Sequence, residues 1–367
     1  MRLCIDISQI VFRGTGVGRF THGLTQAIID YDSQNKWSFF FSSLRQRLDP
    51  VLKESILKKG CVLYEYRLPP SALSFLWNTI HHVKVEKLIG MHDWFITSDW
   101  TEPPSCMKKA TIIHDLVYLL YPKTVHSQIL SNQKQRMRWV KRESDVIFAD
   151  SMTTKTDIEK LLHIEGKRIH VNYPGVSILK PTEDNIQQTL QKFNLEKPYI
   201  LTVGKIEPRK NIAGLINAFC KLQNPPFQLI VVGPQGWDKK TTKQYAQTKM
   251  VRFLNYISDV ELSALYASCL FFIYPSFYEG FGYPIIEAMR LNAPVATSNV
   301  SSMKEIAKDS ALFFDPNKRE DIVSTLKKLA SDEILRNKLK KKGIIRSRQF
   351  LWKQYFETLV RILKKSY

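Results

Sequence analysis

Leu270-Phe-Phe-Ile-Tyr-Pro-Ser-Phe-Tyr-Glu-Gly-Phe-Gly-Tyr-Pro-Ile-Ile-Glu-Ala-Met-Arg290 is the stretch from which the chain is best read. Its apolar run, Leu270 to Tyr274, lacks the alternation of a half-exposed strand and predicts a buried parallel one. A glycine-bearing turn follows, Glu279-Gly280-Phe281-Gly282, and Pro284 then suits the first position of a helix, where its missing N–H costs nothing. Strand, glycine loop and helix together aim free backbone N–H groups at an anion. Glu279 falls in the loop, and Glu287 is expected in the first helical turn, leaning back toward the same end. Two carboxylates would repel a phosphate, yet they accept well from hydroxyls. A ligand with a phosphate and several hydroxyls, such as a nucleotide-sugar, answers both halves of the site.

Upstream, Tyr199-Ile-Leu-Thr-Val-Gly204 predicts another strand, followed by Lys205-Ile-Glu-Pro-Arg209-Lys210-Asn211 and a helix over 212–222. Adjacent cations at a strand-to-helix crossing again make an anion site. Strand-like runs recur at 227–233, with Gly236 and Trp237 in the loop after it, and at 251–258. Helices over 318–330 and 332–345 and an amphipathic, aromatic segment from Phe350 close the chain. In the first half, residues 2–7 predict a strand leading into Gly14-x-Gly16-x-Gly18 and a helix with Phe20, Leu24, Ala27 and Ile28 on one face. This is not the G-x-G-x-x-G dinucleotide fingerprint, and no acidic residue follows at the required distance. Further strands are expected at 37–42, 61–66, 94–98 and 146–151, and helices at 44–59, 73–87 and 153–163. Ala110-Thr-Ile-Ile-His114-Asp115 places a histidine at the carboxyl end of a buried strand, where ligands of such sheets bind. Residues 178–196 are polar and predict a hinge, with the domain boundary near 180.

The 367 residues suffice for two domains with their own cores, and 44% hydrophobic with 24% charged residues is a globular composition. Five cysteines form no C-x-x-C pair, and Cys4 and Cys269 lie in apolar runs, so reduced, buried thiols in a reducing compartment are expected. The N-terminal residues are too quickly charged for a signal peptide, and no run approaches the roughly 18 apolar residues of a membrane span. A cytoplasmic protein follows, either free or peripheral at the inner face of the plasma membrane. The formal charge of +20 is spread over both halves and favours encounter with anionic partners without choosing among them. Gln133–Arg142 is the most basic stretch of the first half; it reads as a solvated helix face or as a patch for an anionic leaflet.

Glu279 and Glu287, with seven residues between them in Tyr-Glu-Gly-Phe-Gly-Tyr-Pro-Ile-Ile-Glu, resemble the E-x7-E element of the family 4 retaining glycosyltransferases. Gly204-x-x-Glu-Pro-Arg209-Lys210-Asn211, the His114-Asp115 block and the N-terminal glycine loop resemble further blocks of that family. The resemblance is strongest over 199–316. It implies a GT-B fold: α/β, two Rossmann-like doubly wound domains with an interdomain cleft. Residues 1–180 would form the acceptor-binding domain and 181–346 the nucleotide-sugar-binding domain, with a helix over 347–367 returning to the first. It further implies that Arg209 and Lys210 hold the donor diphosphate and that Glu279 and His114 hold the donor sugar. Glu287 would meet the ribose, and Gly16, Gly18, Lys205, Gly280, Phe281 and Gly282 would complete the donor site. Relatives carry Gly where Asn292 stands, and often near Lys308.

The activity so implied is retaining, metal-independent transfer of a hexose, mannose favoured, to a glycan or lipid-linked oligosaccharide in cell-surface polysaccharide assembly. No cofactor is expected beyond the donor, for which GDP-mannose is favoured. A GT-B epimerase or phosphorylase is the alternative on the same scaffold. A basic nucleic-acid-binding protein is the alternative from another class, but an aromatic stacking signature interleaved with basic residues in one compact motif is lacking, and nucleic acid is not an expected partner.

Overall fold

The computed structural model describes residues 1–367 except 13, 98, 237, 239–242, 246–247 and 249, so Trp237 of the expected loop lies outside the described residues. The chain forms two compact units, one of Met1–Gly175 with Leu351–Tyr367 and one of Val176–Phe350. The first part of the first unit closes at Gly175, within several residues of the expected boundary near 180.

Seven strands of the first unit are β1 (Arg2–Asp6), β2 (Lys36–Ser42), β3 (Val62–Tyr66), β4 (Trp94–Thr97), β5 (Lys108–Ile113), β6 (Val146–Ala149) and β7 (Ile169–Val171). They pair in parallel in the order β3-β2-β1-β4-β5-β6-β7. Parallel sheets are covered on both faces, which is why Leu3, Cys4 and Ile5, and Phe39, Phe40 and Phe41, are all buried despite being consecutive. Each such side chain contributes about 1.5–3 kcal/mol on leaving water. β1 neighbours both β2 and β4, so the strand order reverses between β1 and β4, and ligands of such sheets bind outside the carboxyl ends of the strands at that point.

The second unit repeats this plan with β8 (Tyr199–Val203), β9 (Gln228–Val232), β10 (Val251–Leu254), β11 (Phe271–Tyr274), β12 (Val295–Ser298) and β13 (Leu312–Phe314). The order is β10-β9-β8-β11-β12-β13, all parallel. Here the reversal falls between β8 and β11. Gly233 shows how closely the loops on that edge pack, since a Cβ on it would stand 2.2 Å from the Gly204 carbonyl oxygen.

The C-terminal helix, Trp352–Lys365, belongs to the first unit. Tyr355, Phe356, Leu359, Val360 and Leu363 form its buried stripe. Gly23 and Gly175 admit the Trp352 side chain, which a Cβ at either position would meet within 2.4 Å. Among the described residues no helix is long and apolar enough to cross a membrane.

Several local expectations shift. The segment expected to be helical from 44 is helical only over Pro50–Lys58, because Asp49 caps the Val51 and Leu52 N–H groups and Pro50 starts the first turn. The expected helix over 73–87 is broken at His81, which takes φ 53° while its ring stacks on Trp139 and bonds Glu143 at 2.7 Å. The expected hinge contains a helix, Glu183–Lys192, opened by a Thr182/Asn185 capping box. In the basic stretch, Arg136 is fully buried and donates to Thr111 Oγ1 at 2.6 Å and to the Ile112 carbonyl at 3.2 Å. It is a core residue rather than part of a surface patch.

Candidate active site

In the second unit, the loops leaving β8 and β11 meet at the point where the strand order reverses. Pro208–Lys210 form one 3-10 turn, ended by Asn211 at φ 54°, and the helix Ile212–Phe219 follows. The turn presents both cations to the other loop. Lys210 Nζ lies 2.6 Å from Glu279 Oε1, and Arg209 Nη1 lies 3.0 Å from Glu279 Oε2. Tyr274, the last residue of β11, shares its hydroxyl between them: it accepts from Lys210 Nζ at 2.7 Å and donates to Glu279 Oε1 at 2.9 Å. Arg209 also pairs with Glu207 at 2.7 Å and donates to the Tyr278 carbonyl at 2.6 Å.

The three charged side chains are only 10–13% exposed. Burial alone would raise the Glu279 carboxyl, but Arg209 and Lys210 outweigh it and hold it at about 2. Burial, aided by the Arg209 charge, lowers the Lys210 ammonium against the opposing pull of Glu279. The Glu279 backbone is fixed as well. Its N–H donates to Ser301 Oγ at 3.2 Å, and its carbonyl accepts from Ser301 and Ser302 at 2.7 and 2.8 Å.

The helix after this loop is Tyr283–Arg290, capped by Gly282 at φ 98°. Pro284 is therefore its second residue, not its first. Glu287, expected in the first turn, is the fifth residue and lies 2% exposed, accepting from the Tyr266 hydroxyl at 3.1 Å. Phe281 points into the core, edge-on to Tyr283 and Phe350, so only its backbone can face a ligand.

In the first unit, His114 follows β5 and Asp150 follows β6. His114 Nδ1 and Asp150 Oδ2 are 2.7 Å apart, and the imidazole packs edge-on against Phe20. Burial disfavours the imidazolium, yet Asp150 outweighs it and raises the histidine above its ordinary value. His114 Nε2 is buried with no hydrogen-bond partner among the described residues. The helix Gly16–Tyr31 starts beside β1, with Thr15 Oγ1 accepting from the Gly18 N–H at 3.1 Å. A Cβ on Gly18 would stand 2.2 Å from the Phe12 carbonyl oxygen, whereas one on Gly16 would meet nothing within 4 Å. Gly18 thus answers a demand of its own backbone, and Gly16 leaves open space.

Residues 184–346 match the family model of the glycosyl transferases group 1. O-antigen chain mannosyltransferase B of Escherichia coli is 30% identical over 267 residues, which cover 68% of this chain and 68% of that one. The chain belongs to the group 1 glycosyltransferases. A second relative of this transferase, the serotype-specific mannosyltransferase WbdA of Escherichia coli, is 29% identical over 263 residues, 67% of this chain but 32% of that longer one. In fold, the transferase resembles sucrose-phosphate synthase from Thermosynechococcus elongatus, with a TM-score of 0.75 at 15% identity over 100% of this chain and 98% of that one. Its two units are the Rossmann-like domains of the GT-B fold.

Of the residues singled out in the transferase sequence, Arg209, Lys210 and Glu279 come together as one cluster. Glu287 is buried in the helix that follows, and Lys205 is exposed on the loop after β8. Sequence reasoning missed Tyr274, Glu207 and Asp150 as partners. Tyr274 and Asp150 carried a signal, since each is the first polar group at the end of an apolar strand run.

Proposed function

We propose that this transferase moves a mannosyl residue from a nucleoside-diphosphate sugar, GDP-mannose foremost, to a glycan or lipid-linked glycan acceptor in cell-surface polysaccharide assembly. The observation that carries the reading is the Arg209–Glu279–Lys210 cluster at the strand-order reversal of the second unit. Mannose and the polysaccharide acceptor are supported by the names of the two relatives.

In this reading the second unit binds the donor and the first unit the acceptor. Arg209 and Lys210 exchange part of their pairing with Glu279 for the donor diphosphate, and their charge stabilises the phosphate that leaves. No metal ion is required for that task. Glu279 keeps two neighbouring cations together before the donor arrives and accepts from sugar hydroxyls afterwards. His114, with Nδ1 committed to Asp150, offers Nε2 to a sugar oxygen. Glu287 accepts from the ribose. The backbones of Gly16 and of Gly280–Gly282, with the Lys205 ammonium, complete the donor contacts.

Transfer proceeds with retention. The bond from the sugar anomeric carbon to the phosphate oxygen breaks, and the acceptor oxygen bonds that carbon on the same face. The acceptor's proton passes to the departing phosphate, so no side-chain base is assigned. A peripheral position on an anionic membrane surface suits the net charge of +20 and a lipid-linked acceptor.

The test is incubation of the purified protein with GDP-mannose and, separately, with UDP-glucose, UDP-galactose and ADP-glucose, in chelator and with a mannan-type oligosaccharide. GDP release only from GDP-mannose, with an α-linked product by NMR, is the expected result. Release from another donor alone would replace mannose, and an inverted anomer would end the retaining mechanism.

A further inference from the structure

At the carboxyl ends of β2 and β3 the first unit opens into a cavity of about 490 Å³. Arg45 and Arg47 reach it from the loop after β2, Arg67 from the residue after β3, and Lys53 from the helix Pro50–Lys58. The two loops are tied at their roots, because the Ser43 N–H donates to the Tyr66 carbonyl at 3.2 Å. Ser43 Oγ in turn accepts from the Gln46 N–H at 3.1 Å, which turns the arginine-bearing loop. Glu65 is the one carboxylate in the lining, and Lys53 already pairs with it at 2.5 Å. Arg45, Arg47 and Arg67 are exposed, and none has an ion pair or side-chain hydrogen bond with a described residue.

Three uncompensated guanidiniums around one cavity repel each other in the free protein. Their planar forks match phosphate oxygens two at a time, which ammonium groups do not. We propose that this cavity is a second anion site, which holds the phosphate or diphosphate of the acceptor. The proposal rests on the acceptor-transferase reading above. β2 and β5 stand three strand spacings apart in the sheet, about 15 Å. A phosphate in the cavity is therefore well separated from His114 and belongs to the far end of an extended acceptor, leaving its sugar free to reach the reacting centre.

Calorimetric titration with farnesyl diphosphate and with inorganic pyrophosphate tests this. Arg209 and Lys210 also suit a diphosphate, so the comparison is made between full-length Lys210→Ala and the same chain carrying R45Q and R67Q in addition. Both probes are expected to bind the first protein and to weaken about tenfold or more in the second. Equal affinities in the two proteins would overturn the proposal. So would a chain with R45Q and R67Q alone that loses GDP binding, since the cavity would then serve the donor. Flotation with phosphatidylglycerol vesicles separates the sources: loss of vesicle binding with diphosphate binding intact would assign the cations to a membrane surface and reject the acceptor phosphate. Failure of the wild type to bind GDP would strike the donor reading alone, because the diphosphate comparison does not use GDP.

Discussion

His114 and Asp150 end adjacent parallel strands, and their side chains meet at 2.7 Å. The pairing commits Nδ1 to the carboxylate, and Nε2 is left without a hydrogen-bond partner among the described residues. In the proposed reading Asp150 positions the ring.

Asp150→Asn keeps an acceptor opposite Nδ1 but removes the charge that holds the imidazolium. His114 in this variant should therefore deprotonate at a lower pH, read from its imidazole NMR signals. The sign for stability follows from a raised value: the pair's contribution is present below the ordinary histidine range and is lost as pH rises through the folded value. Asp150→Ala frees the ring, and kcat should fall about 100-fold, the usual cost of a misplaced contact group. Unchanged titration of His114 in Asp150→Asn would show that the carboxylate does not govern the ring.

Glu279 and Lys210 differ in what their removal leaves behind. Lys210→Ala leaves Glu279 paired with Arg209, so the protein should fold normally and lose transfer. Glu279→Ala leaves two buried neighbouring cations without their shared counter-ion, at about 3–5 kcal/mol of stability. Lost activity in that variant is uninformative until denaturant midpoints show how much of it remains folded. Comparing the two by midpoint and turnover separates the structural task of Glu279 from the chemical one.

The same carboxylate shapes the acid limb. Its folded value of about 2 lies below the ordinary glutamate range near 4.5, so the unfolded chain binds the proton first. The stability it contributes is present above the ordinary value and is lost as pH falls toward the folded one. That amounts to about 3 kcal/mol between the two limits. Denaturant midpoints measured from pH 6 down to pH 2 should fall more steeply for the wild type than for Glu279→Gln. Parallel curves would mean that the carboxylate is not held by the two cations.

The parts of this protein that were legible in sequence are those set by period and by glycine. Buried strands such as Phe271–Tyr274 announce themselves through continuous apolar residues, and their loops through Gly204, Gly233 and Gly282. Arg209, Lys210 and Glu279 stood out as charges at strand ends. What could not be read was their mutual pairing, because contact across β8 and β11 depends on strand order, which no local pattern states. The helix Glu183–Lys192 escaped for another reason: its polar sequence hides behind a capping box and a narrow apolar face. Arg136 misled because charge suggests a surface, while the Thr111 hydroxyl and the Ile112 carbonyl of the interior strand β5 accept from its guanidinium and offset its burial.

Gly16 and Gly18 should respond oppositely to alanine. Gly18→Ala forces a Cβ against the Phe12 carbonyl, so the loop must shift and the melting temperature should drop. Gly16→Ala meets nothing within 4 Å among the described residues and should leave stability nearly unchanged. A rise in donor KM for Gly16→Ala at constant melting temperature would mark close approach of the donor to that backbone. An unaltered KM would remove Gly16 from the donor site.

Lys308 offers the last test, at the end of the helix Ser301–Ala307. It adopts φ 47° and ψ −134°, a region that suits glycine and strains a residue with a Cβ. Asn292, the other position at which the family resemblance leads one to expect glycine, sits at φ 64°, which asparagine tolerates far better. The two departures are therefore unequal. Lys308→Gly should relieve strain worth about 1–3 kcal/mol, less the roughly 0.5–1 kcal/mol by which glycine loosens the unfolded chain. A net gain of about 1 kcal/mol is expected in the denaturant midpoint, while Asn292→Gly should move it by only a few tenths. Because no hydrogen bond or ion pair joins Lys308 to Arg209, Lys210 or Glu279, turnover should stay at the wild-type level. A destabilised Lys308→Gly would show that the lysine side chain contributes more than its backbone strain takes away.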